Sequence, residues 1–424
     1  MLHCNKSYRF VSIISDQLVF NPSPKDSDMS LPNNTIVITA AVRTPMGSFN
    51  GQFSALSAHD LGGAAIKEAV KRAGIAPEAV DEVLMGNCLM AGQGQGPARQ
   101  AAYKGGLPDN AGAVTLSKMC GSGMKAAMMA HDMLKAETWN VMVAGGMESM
   151  TNAPYLLLKG RSGYRIGADK IYDHMMLDGL EDAYQPGRAM GVFGEQCATH
   201  YKFTREQQDA FATESVQRAQ AAIAKGLFDA EIAPVVVKDR SGETTITTDE
   251  GPGRIKIEKI ATLKPAFAKD GTVTAASSSS ISDGAAALVM MRLETAEQLG
   301  SKPIARIVAH ATHSHQPEWF TTAPISAAKK AMAKAGWSKD DVDLWEVNEA
   351  FAVVPMAFMQ EMGVSHDVVN VNGGACALGH PIGATGARIM ATLIYALQAR
   401  GKKRGIAALC IGGGEATAVA IELL

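Results

Sequence analysis

The sequence predicts an α/β protein built from two similar halves, with a further segment inserted between them. Three observations support this prediction: a helix-and-strand pattern that occurs twice, a second pair of helix-and-strand segments, and a more polar stretch between the two copies. Internal repeats dictate architecture, and strands that alternate with helices of this length indicate parallel sheets covered by helices on both faces.

The first repeat is the pattern Ala-x-Lys-x-Ala-x3-Ala-Gly-x5-Val-Asp. It occupies residues 65–81 and again residues 327–343, and all seven positions recur at one constant offset. Each copy predicts a helix that ends at a C-cap glycine, Gly74 in the first copy and Gly336 in the second, followed by a short strand.

The second repeat joins a glycine that opens a helix to a strand with a glycine-rich end. Gly123 opens a helix rich in Ala and Met that leads to the strand at 141–144. Gly386 opens a helix that leads to the strand at 406–410. Because the offsets nearly match that of the first repeat, we predict the same order of strands and helices in both halves.

The predicted domain boundaries follow from the repeats. Residues 34–150 form the N-terminal half, which residues 276–300 complete, and residues 301–424 form the C-terminal half. Residues 151–275 form an inserted loop domain, in which Thr204 is predicted to cap a helix. Residues 1–33 share no pattern with the rest and are predicted to be a disordered extension. A targeting segment and a translation start at Met29 are the alternatives.

Composition excludes several classes of function. The 424 residues carry 40 Lys and Arg against 42 Asp and Glu, so no overall basic field favours a nucleic acid partner. No apolar run approaches the roughly 18 residues of a membrane-spanning helix. Six cysteines are spread over the chain without metal-ligand spacing, which favours a reducing compartment. We therefore expect a cytoplasmic protein with neither a nucleic acid nor a membrane as its partner.

Cys120 and His380 lie where chemistry is expected, at the starts of the two repeated helices. Cys120 joins an extended segment to a helix, where the partial positive charge of the helix lowers a thiol pKa and backbone N–H groups can hold an oxyanion. His380 lies in a glycine-rich turn, a suitable place for a base. A small buried cysteine and an ordinary strand-to-helix turn are the alternatives.

Cys410 ends a strand just before Gly412, a setting in which a single cysteine usually belongs to the core. The repeat changes this interpretation, because two related halves bring equivalent strand ends together. We therefore predict that Cys120, His380 and Cys410 meet at one site, together with Asn348 from the end of the other repeated strand.

From about residue 36 to residue 424 the chain resembles the thiolase family. The resemblance lies in several motifs in family order, at residues 42–45, 116–123, 145–149, 283–286, 348–351, 379–381 and 410–414. It implies a five-layered α-β-α-β-α fold of two like halves, a loop domain that binds coenzyme A, and a homotetramer built from tight dimers. It also implies acetyl-CoA C-acetyltransferase activity, the reversible Claisen condensation of two acetyl-CoA to acetoacetyl-CoA and CoA through an acetyl-cysteine.

The resemblance also implies roles for the site residues. Cys120 is the nucleophile that becomes acylated, His380 is the base that activates it, and Cys410 exchanges the α-proton of the second acetyl-CoA. Asn348 positions a water that faces one thioester oxygen. The backbone N–H groups of Cys120 and Gly412 form the other oxyanion site.

Contacts with coenzyme A are implied in the same way. Arg254 lies near the nucleotide end with Lys259 close by, and Ser279 hydrogen-bonds the pantetheine. Three further residues line the thioester channel, namely Tyr184, Met190 and Phe351. A solvated charged surface is the alternative for the two cations, and simple core packing is the alternative for the channel residues.

No permanently bound cofactor or metal is implied, since coenzyme A is substrate and product. Ser277 stands where asparagine is common, in a loop whose carbonyls bind potassium in a related subgroup, so potassium activation stays open without support from the sequence.

Two other functions remain as alternatives. One is a degradative 3-ketoacyl-CoA thiolase of broader chain length, and the other is a non-catalytic thiolase-like acyl-CoA binding protein that would have lost a catalytic residue.

Overall fold

The computed structural model of the chain describes residues 31–239 and 242–424. Nearly all of the predicted disordered extension, with Met29, lies outside the described residues. The chain from Asn33 to Leu424 forms one unit by its internal contacts.

The strands and helices of the described residues are numbered in chain order. The strands are β1 (Ile36–Arg43), β2 (Gly47–Ser48), β3 (Glu82–Gly86), β4 (Gly112–Leu116), β5 (Val141–Ser149), β6 (Tyr155–Leu156), β7 (Tyr172–Asp173), β8 (Val235–Asp239), β9 (Gly242–Ile246), β10 (Ser282–Arg292), β11 (Ala305–Ser314), β12 (Leu344–Val347), β13 (Arg404–Ile411) and β14 (Glu415–Leu423). The α-helices are α1 (Ala58–Ala73), α2 (Pro97–Lys104), α3 (Ser122–Lys135), α4 (Gly191–Tyr201), α5 (Arg205–Ala224), α6 (Gly251–Arg254), α7 (Leu293–Leu299), α8 (Ala323–Ala335), α9 (Val353–Met362), α10 (Ala375–Leu378) and α11 (Thr385–Ala399).

The predicted repeat is confirmed in its details. Helix α1 ends at Gly74 with a φ of 68°, and helix α8 ends at Gly336 with a φ of 69°. Both are left-handed C-caps, a conformation that glycine adopts without a steric penalty. Strand β3 follows α1 and strand β12 follows α8, while α3 leads to β5 and α11 leads to β13.

The main sheet is mixed, so the prediction of parallel sheets was wrong for its central strands. Its order is β12-β13-β14-β11-β1-β10-β5-β3-β4. Strands β3, β4 and β5 pair in parallel, as do β12 and β13, whereas β1, β10, β11 and β14 pair antiparallel to their neighbours. The reason lies in the connections, because only three residues separate β13 from β14 and a parallel pair needs a longer crossover.

Strands β5 and β10 form the corresponding hairpin of the first half. Ser149 at the end of β5 pairs with Asp283 at the start of β10, so the chain leaves and re-enters the sheet at the same end. Residues 150–281 therefore occupy the position that a three-residue turn occupies between β13 and β14. This arrangement explains why a long insert does not disturb the sheet.

The fold has the predicted five layers, because the strands of the two halves, although joined in one sheet, form two β layers with α3 and α11 between them. In the central layer, α3 and α11 pack on each other and on strands of both halves. Helices α1 and α2 cover the outer face of the strands of the first half, and α8 and α9 cover the outer face of β11 to β14. The order from one side to the other is α-β-α-β-α, with the starts of α3 and α11 in the middle of the molecule.

The insert carries α4, α5, α6 and two short antiparallel pairs, β6 with β7 and β8 with β9. Thr204 caps α5 as predicted, because its hydroxyl accepts the N–H of Gln207 at 3.3 Å and the Gln207 side chain accepts the N–H of Thr204. Helix α5 packs on α10 through a small apolar cluster. The insert thus contacts the segment that leads into His380.

Among the helices of the described ranges, none combines the length with the apolar composition that a bilayer crossing requires.

Candidate active site

One narrow cavity of about 60 Å³ lies between the starts of the two central helices. Its lining is almost entirely apolar. Seven of the residues predicted from the sequence contribute to it, namely Cys120, His380, Cys410, Gly412, Met190, Ser279 and Phe351. The structure therefore brings together most of the predicted catalytic residues, which come from distant parts of the chain.

Cys120 stands at the entrance to helix α3. Ser122 is the first helical residue, and Met119, just before the cysteine, has a φ of 45°. A non-glycine residue in this left-handed region is uncommon and costs about 1 kcal/mol or more. The sharp turn ends β4 and places Cys120 beside the first turn of the helix, as the sequence predicted.

The predicted lowering of the Cys120 pKa was wrong. Burial raises the pKa of the thiol to about 11, although the backbone N–H groups of Gly412 and of Cys120 itself act in the opposite direction. The loss of hydration outweighs the helix start and both N–H groups. At neutral pH the sulfur therefore carries its proton and needs a base before it can attack.

His380 is a neutral imidazole whose Nδ1 is already hydrogen-bonded. Its Nδ1 lies 2.6 Å from Oγ1 of Thr385, and that hydroxyl donates its single proton to the carbonyl of Pro381 at 2.9 Å. The hydroxyl must then accept from Nδ1–H, so the hydrogen-bond network assigns the lone pair to Nε2. Burial, with the charge of Arg388, lowers the pKa of His380 to about 3.

The Nε2 atom of His380 is buried and has no hydrogen-bond partner among the described residues. Since the ring lines the cavity that Cys120 also lines, this nitrogen is the acceptor available to a group in the cavity. A neutral imidazole with a free lone pair is what a general base requires.

Cys410 is the second thiol of the cavity. It lies at the end of β13, two residues before Gly412, and is 1% exposed. Burial, followed by the nearby Cys120, raises the pKa of its thiol well above the usual value. The structure places it in the wall of the cavity that Cys120 and His380 also line.

Asn348 follows β12 and is fixed by its backbone, whose N–H donates to the carbonyl of Ala408 at 3.0 Å. Its Nδ2 is buried without a partner among the described residues. Asn348 is not part of the cavity lining itself. Its Oδ1 lies 3.5 Å from the guanidinium of Arg388, so the free Nδ2 is the group suited to hold a water.

Two buried carboxylates that the sequence assigned no role fix the loops around the cavity. Glu148 accepts the side chain of Asn87 at 2.6 Å and the backbone N–H groups of Cys88, Leu89 and Gly383 at 2.8–3.0 Å. It thereby links the end of β3 to the turn after His380. Glu148 lies in a motif of the thiolase resemblance, at residues 145–149, which was the only available signal.

Glu349 is the second buried carboxylate that fixes loops around the cavity. Its carboxylate accepts the hydroxyl of Ser215 at 2.7 Å, the amide of Asn370 at 2.8 Å and the N–H of Cys376 at 3.0 Å. Ser215 belongs to α5, so this carboxylate ties the insert to the segment before His380. Burial raises the pKa of both glutamates.

A second cavity of about 380 Å³ lies beside the first and carries positive charge. It is lined by Arg254 and Lys259, the two cations that the resemblance places near coenzyme A, and by Lys256, a residue that the sequence did not single out. Ser279 lines the first cavity and Ser280 lines the second, so adjacent residues border both. Arg254 is paired with Glu250, and its side chain is 61% exposed.

Tyr184 differs from the other predicted channel residues. It is 68% exposed and lies over the backbone of Gly413. It does not contribute to the lining of the first cavity, whereas Met190 and Phe351 do.

Comparisons with known proteins agree with this geometry. The family model "Thiolase, N-terminal domain" matches residues 36–294 and the model "Thiolase, C-terminal domain" matches residues 301–423. The acetyl-CoA acetyltransferase of Escherichia coli (strain K12) is 48% identical over 390 residues, which cover 92% of this chain and 99% of that protein. The acetyl-CoA acetyltransferase of Thiocystis violacea is 47% identical over 394 residues, covering 92% of this chain and 100% of that protein.

Two solved structures show the same fold. The acetyl-CoA acetyltransferase of Bacillus anthracis has a TM-score of 0.89 at 42% identity and covers 92% of this chain and 99% of its own. The Acat5 thiolase of Ascaris suum, in complex with coenzyme A, has a TM-score of 0.87 at 41% identity and covers 92% of this chain and 100% of its own. The protein belongs to the thiolase family.

Proposed function

We propose that the protein is an acetyl-CoA C-acetyltransferase, which condenses two acetyl-CoA to acetoacetyl-CoA and CoA and catalyses the reverse cleavage. The observation that supports it most is the meeting of Cys120, His380 and Cys410 in one small apolar cavity. The names of the relatives, acetyl-CoA acetyltransferases over nearly their whole length, agree with this activity.

In the first half-reaction, His380 takes the proton of the Cys120 thiol on Nε2 as the sulfur attacks the thioester carbon. The carbonyl oxygen becomes an oxyanion, and the N–H groups of Cys120 and Gly412, both aimed at the Cys120 sulfur, are available to stabilise it. The C–S bond to CoA then breaks, and the Cys410 thiol gives its proton to the leaving CoA sulfur, so that Cys410 becomes a thiolate while His380 keeps the Cys120 proton on Nε2. The product is acetyl-Cys120.

In the second half-reaction, Cys410 acts as a thiolate that removes a methyl proton from a second acetyl-CoA. The enolate carbon attacks the acetyl group on Cys120 and forms the new C–C bond, and the Cys120 sulfur leaves and takes back the proton held on His380 Nε2. Burial of Cys410 keeps its thiolate strongly basic, which suits removal of a carbon-bound proton. The water held by Asn348 and the Nε2–H of the protonated His380 would face the enolate oxygen.

The cavity size supports a short acyl group. By the measure in which one water needs about 10–15 Å³, the 60 Å³ cavity holds about four to six waters. Phe351 and Met190 close its apolar side. This space suits two- to four-carbon acyl chains better than the longer chains of a broad 3-ketoacyl-CoA thiolase.

The second cavity is the proposed site of the coenzyme A nucleotide. Arg254, Lys256 and Lys259 offer three cations for its phosphates. Ser279, on the border between the cavities, would contact the pantetheine that passes from one to the other. The crystal structure of the Ascaris suum relative contains coenzyme A, which supports this class of ligand.

Assembly and location are part of the same proposal. The insert exposes a series of large apolar side chains, and this supports the association of copies into a homotetramer. They are Tyr155, Leu157, Leu158, Ile166 and Ile171. The described cysteines are all free thiols, which supports a reducing compartment such as the cytoplasm.

The test is the CoA-dependent cleavage of acetoacetyl-CoA beside that of an eight-carbon 3-ketoacyl-CoA, with wild type and Cys120→Ser. Strong cleavage of the four-carbon substrate alone, abolished by the substitution, is the expected result. Comparable cleavage of the eight-carbon substrate would assign the protein to the degradative thiolases instead. Binding of CoA without cleavage of either substrate would indicate a non-catalytic carrier.

A further inference from the structure

A cluster of metal-ligating side chains lies away from the candidate active site, where α3 packs near β11. It consists of His131 and Asp132 on α3 and His310 on β11. Their ligand atoms all lie within 4.8 Å of one another, and the described residues contain no other such group of three. His131 lies nine residues after the start of α3, roughly 14 Å along the helix, so the cluster is separate from the cavity of Cys120.

The two imidazoles converge on one carboxylate oxygen. His131 Nδ1 lies 3.0 Å from Oδ1 of Asp132, and His310 Nε2 lies 2.9 Å from the same atom. The rings are nearly perpendicular, with centroids 5.1 Å apart. Both ring nitrogens therefore lie within hydrogen-bond distance of one carboxylate oxygen, close enough for one ion to replace these hydrogen bonds once the carboxylate shifts.

We propose that His131, Asp132 and His310 bind a divalent transition-metal ion such as Zn²⁺, with water completing the coordination. Zinc bonds of about 2.0–2.1 Å in a tetrahedron place ligand atoms about 3.3 Å apart. The two nitrogen-to-oxygen distances need to lengthen by only a few tenths of an ångström. The set of two imidazoles and one carboxylate with an open position is one that zinc accepts.

The burial of the three side chains suits this role. The side chains of His131 and His310 are 18% and 14% exposed, so the surrounding structure holds both rings. The side chain of Asp132 is 61% exposed and can adjust, and the ion can enter from solvent.

The charge around the cluster affects how tightly it would hold an ion. Lys135 is a nearby cation that opposes the charge of the ion. We therefore expect weaker binding than at a structural zinc site with four protein ligands.

An ion bound at this position would affect the stability of the fold. Helix α3 begins directly after Cys120 in the first half, whereas β11 is the first strand of the second half. A bound ion would link the two halves and stabilise the folded state increasingly as the ion concentration exceeds the dissociation constant. This goes beyond the proposed acyl transfer and does not depend on it.

The experiment titrates the full-length protein with Zn²⁺ against a chromophoric chelator, and records the visible spectrum of the Co²⁺ form. Wild type is compared with Asp132→Asn, His310→Gln and the control His313→Gln, which changes a histidine of β11 outside the cluster. We expect one Zn²⁺ per chain in wild type and in the control. Loss of a ligand should weaken binding at least about tenfold, since loss of even an outer-shell partner weakens it 10- to 100-fold.

The cobalt spectrum distinguishes this site from the cysteines. Visible bands of a four-coordinate ion without a thiolate-to-cobalt charge-transfer band are expected, and they should disappear in Asp132→Asn. Because Asp132 is largely exposed, this variant should keep its fold, which circular dichroism verifies. Equal affinity in wild type and Asp132→Asn, a thiolate band, or no binding of Zn²⁺ would each overturn the proposal.

Discussion

The starts of the two central helices hold equivalent places in the repeat but carry different chemistry. The start of α3 presents Cys120, and the start of α11 lies behind His380. Burial is the main cause of the pKa shift at both, yet it raises the pKa of the thiol to about 11 and lowers that of the imidazole to about 3. Both groups are therefore neutral at pH 7. The repeat thus places the two helix starts at one cavity. Before substrate binds, Cys120 and His380 do not form a thiolate-imidazolium pair.

The largest effect is expected from removing the nucleophile at the α3 start. Cys120→Ser should lower kcat for acetoacetyl-CoA cleavage by roughly three to six orders of magnitude, since a hydroxyl is a far weaker nucleophile at a site built for sulfur. The measurement is steady-state cleavage, with mass spectrometry of the peptide that carries residue 120 to detect the acetyl group.

Cys88→Ser is the matched control for that variant. Cys88 is a buried thiol near Cys120, and it contacts the carbonyl of Met119 at 3.2 Å and the hydroxyl of Ser122 at 3.4 Å. A serine can keep both contacts, so activity should stay within about tenfold of wild type. An equal loss in both variants would mean that the site tolerates no change of packing and would remove the argument for Cys120 as nucleophile.

The next effect concerns the partner that orients the base at the α11 start. Thr385→Val removes the acceptor of His380 Nδ1–H and leaves a buried donor unpaired, which costs about 1–3 kcal/mol. We expect kcat to fall about 10- to 100-fold, with KM changed far less. Thr385→Ser, which keeps the hydroxyl, should restore most of the rate. A similar loss in both variants would indicate packing, not orientation, as the role of Thr385.

Much of this comparison could be predicted from the sequence. The two repeats predicted both halves, the capping glycines Gly74 and Gly336, and the meeting of Cys120, His380 and Cys410, because regular patterns and strand ends are local or symmetric features. The motifs then indicated the family and its five layers. Long, periodic elements are the part of a fold that sequence patterns specify best.

Other features depend on contacts between distant residues and left no readable pattern. The sign of the Cys120 pKa shift depends on how deeply the folded chain buries the thiol. The roles of Thr385 and Glu148 depend on which loops they meet in space. The antiparallel pairing of β5 with β10 joins strands that are far apart in sequence, which the order of helices and strands alone does not reveal.

A smaller effect is expected in the cationic cavity, which is far more exposed than the helix starts. Arg254→Ala should raise KM for CoA about three- to tenfold and leave kcat unchanged, because exposed charge contacts are worth about 0.2–1 kcal/mol or slightly more with a phosphate. Lys402→Ala, an exposed lysine paired with Asp343, is the control and should change neither constant. Dephospho-CoA extends the test: if Arg254 contacts the 3′-phosphate, the variant should no longer distinguish it from CoA.

The smallest expected effect is that of pH on kcat/KM, which tests directly whether both helix starts carry neutral groups. With the pKa of His380 near 3 and that of Cys120 near 11, kcat/KM should vary less than about twofold between roughly pH 5.5 and 9. With an ordinary histidine base of pKa 6.5, kcat/KM would fall about tenfold by pH 5.5.

The pH dependence of folding stability differs from that of the rate. His380 binds a proton only in the unfolded chain between pH 6.5 and 3, so its contribution is complete above pH 6.5 and is lost as the pH falls toward 3. Rates should therefore be measured with the folded fraction monitored by circular dichroism. A fall in kcat/KM below about pH 6.5 in fully folded protein would mean that His380 titrates as an ordinary histidine before substrate binds, against the strong lowering of its pKa by burial.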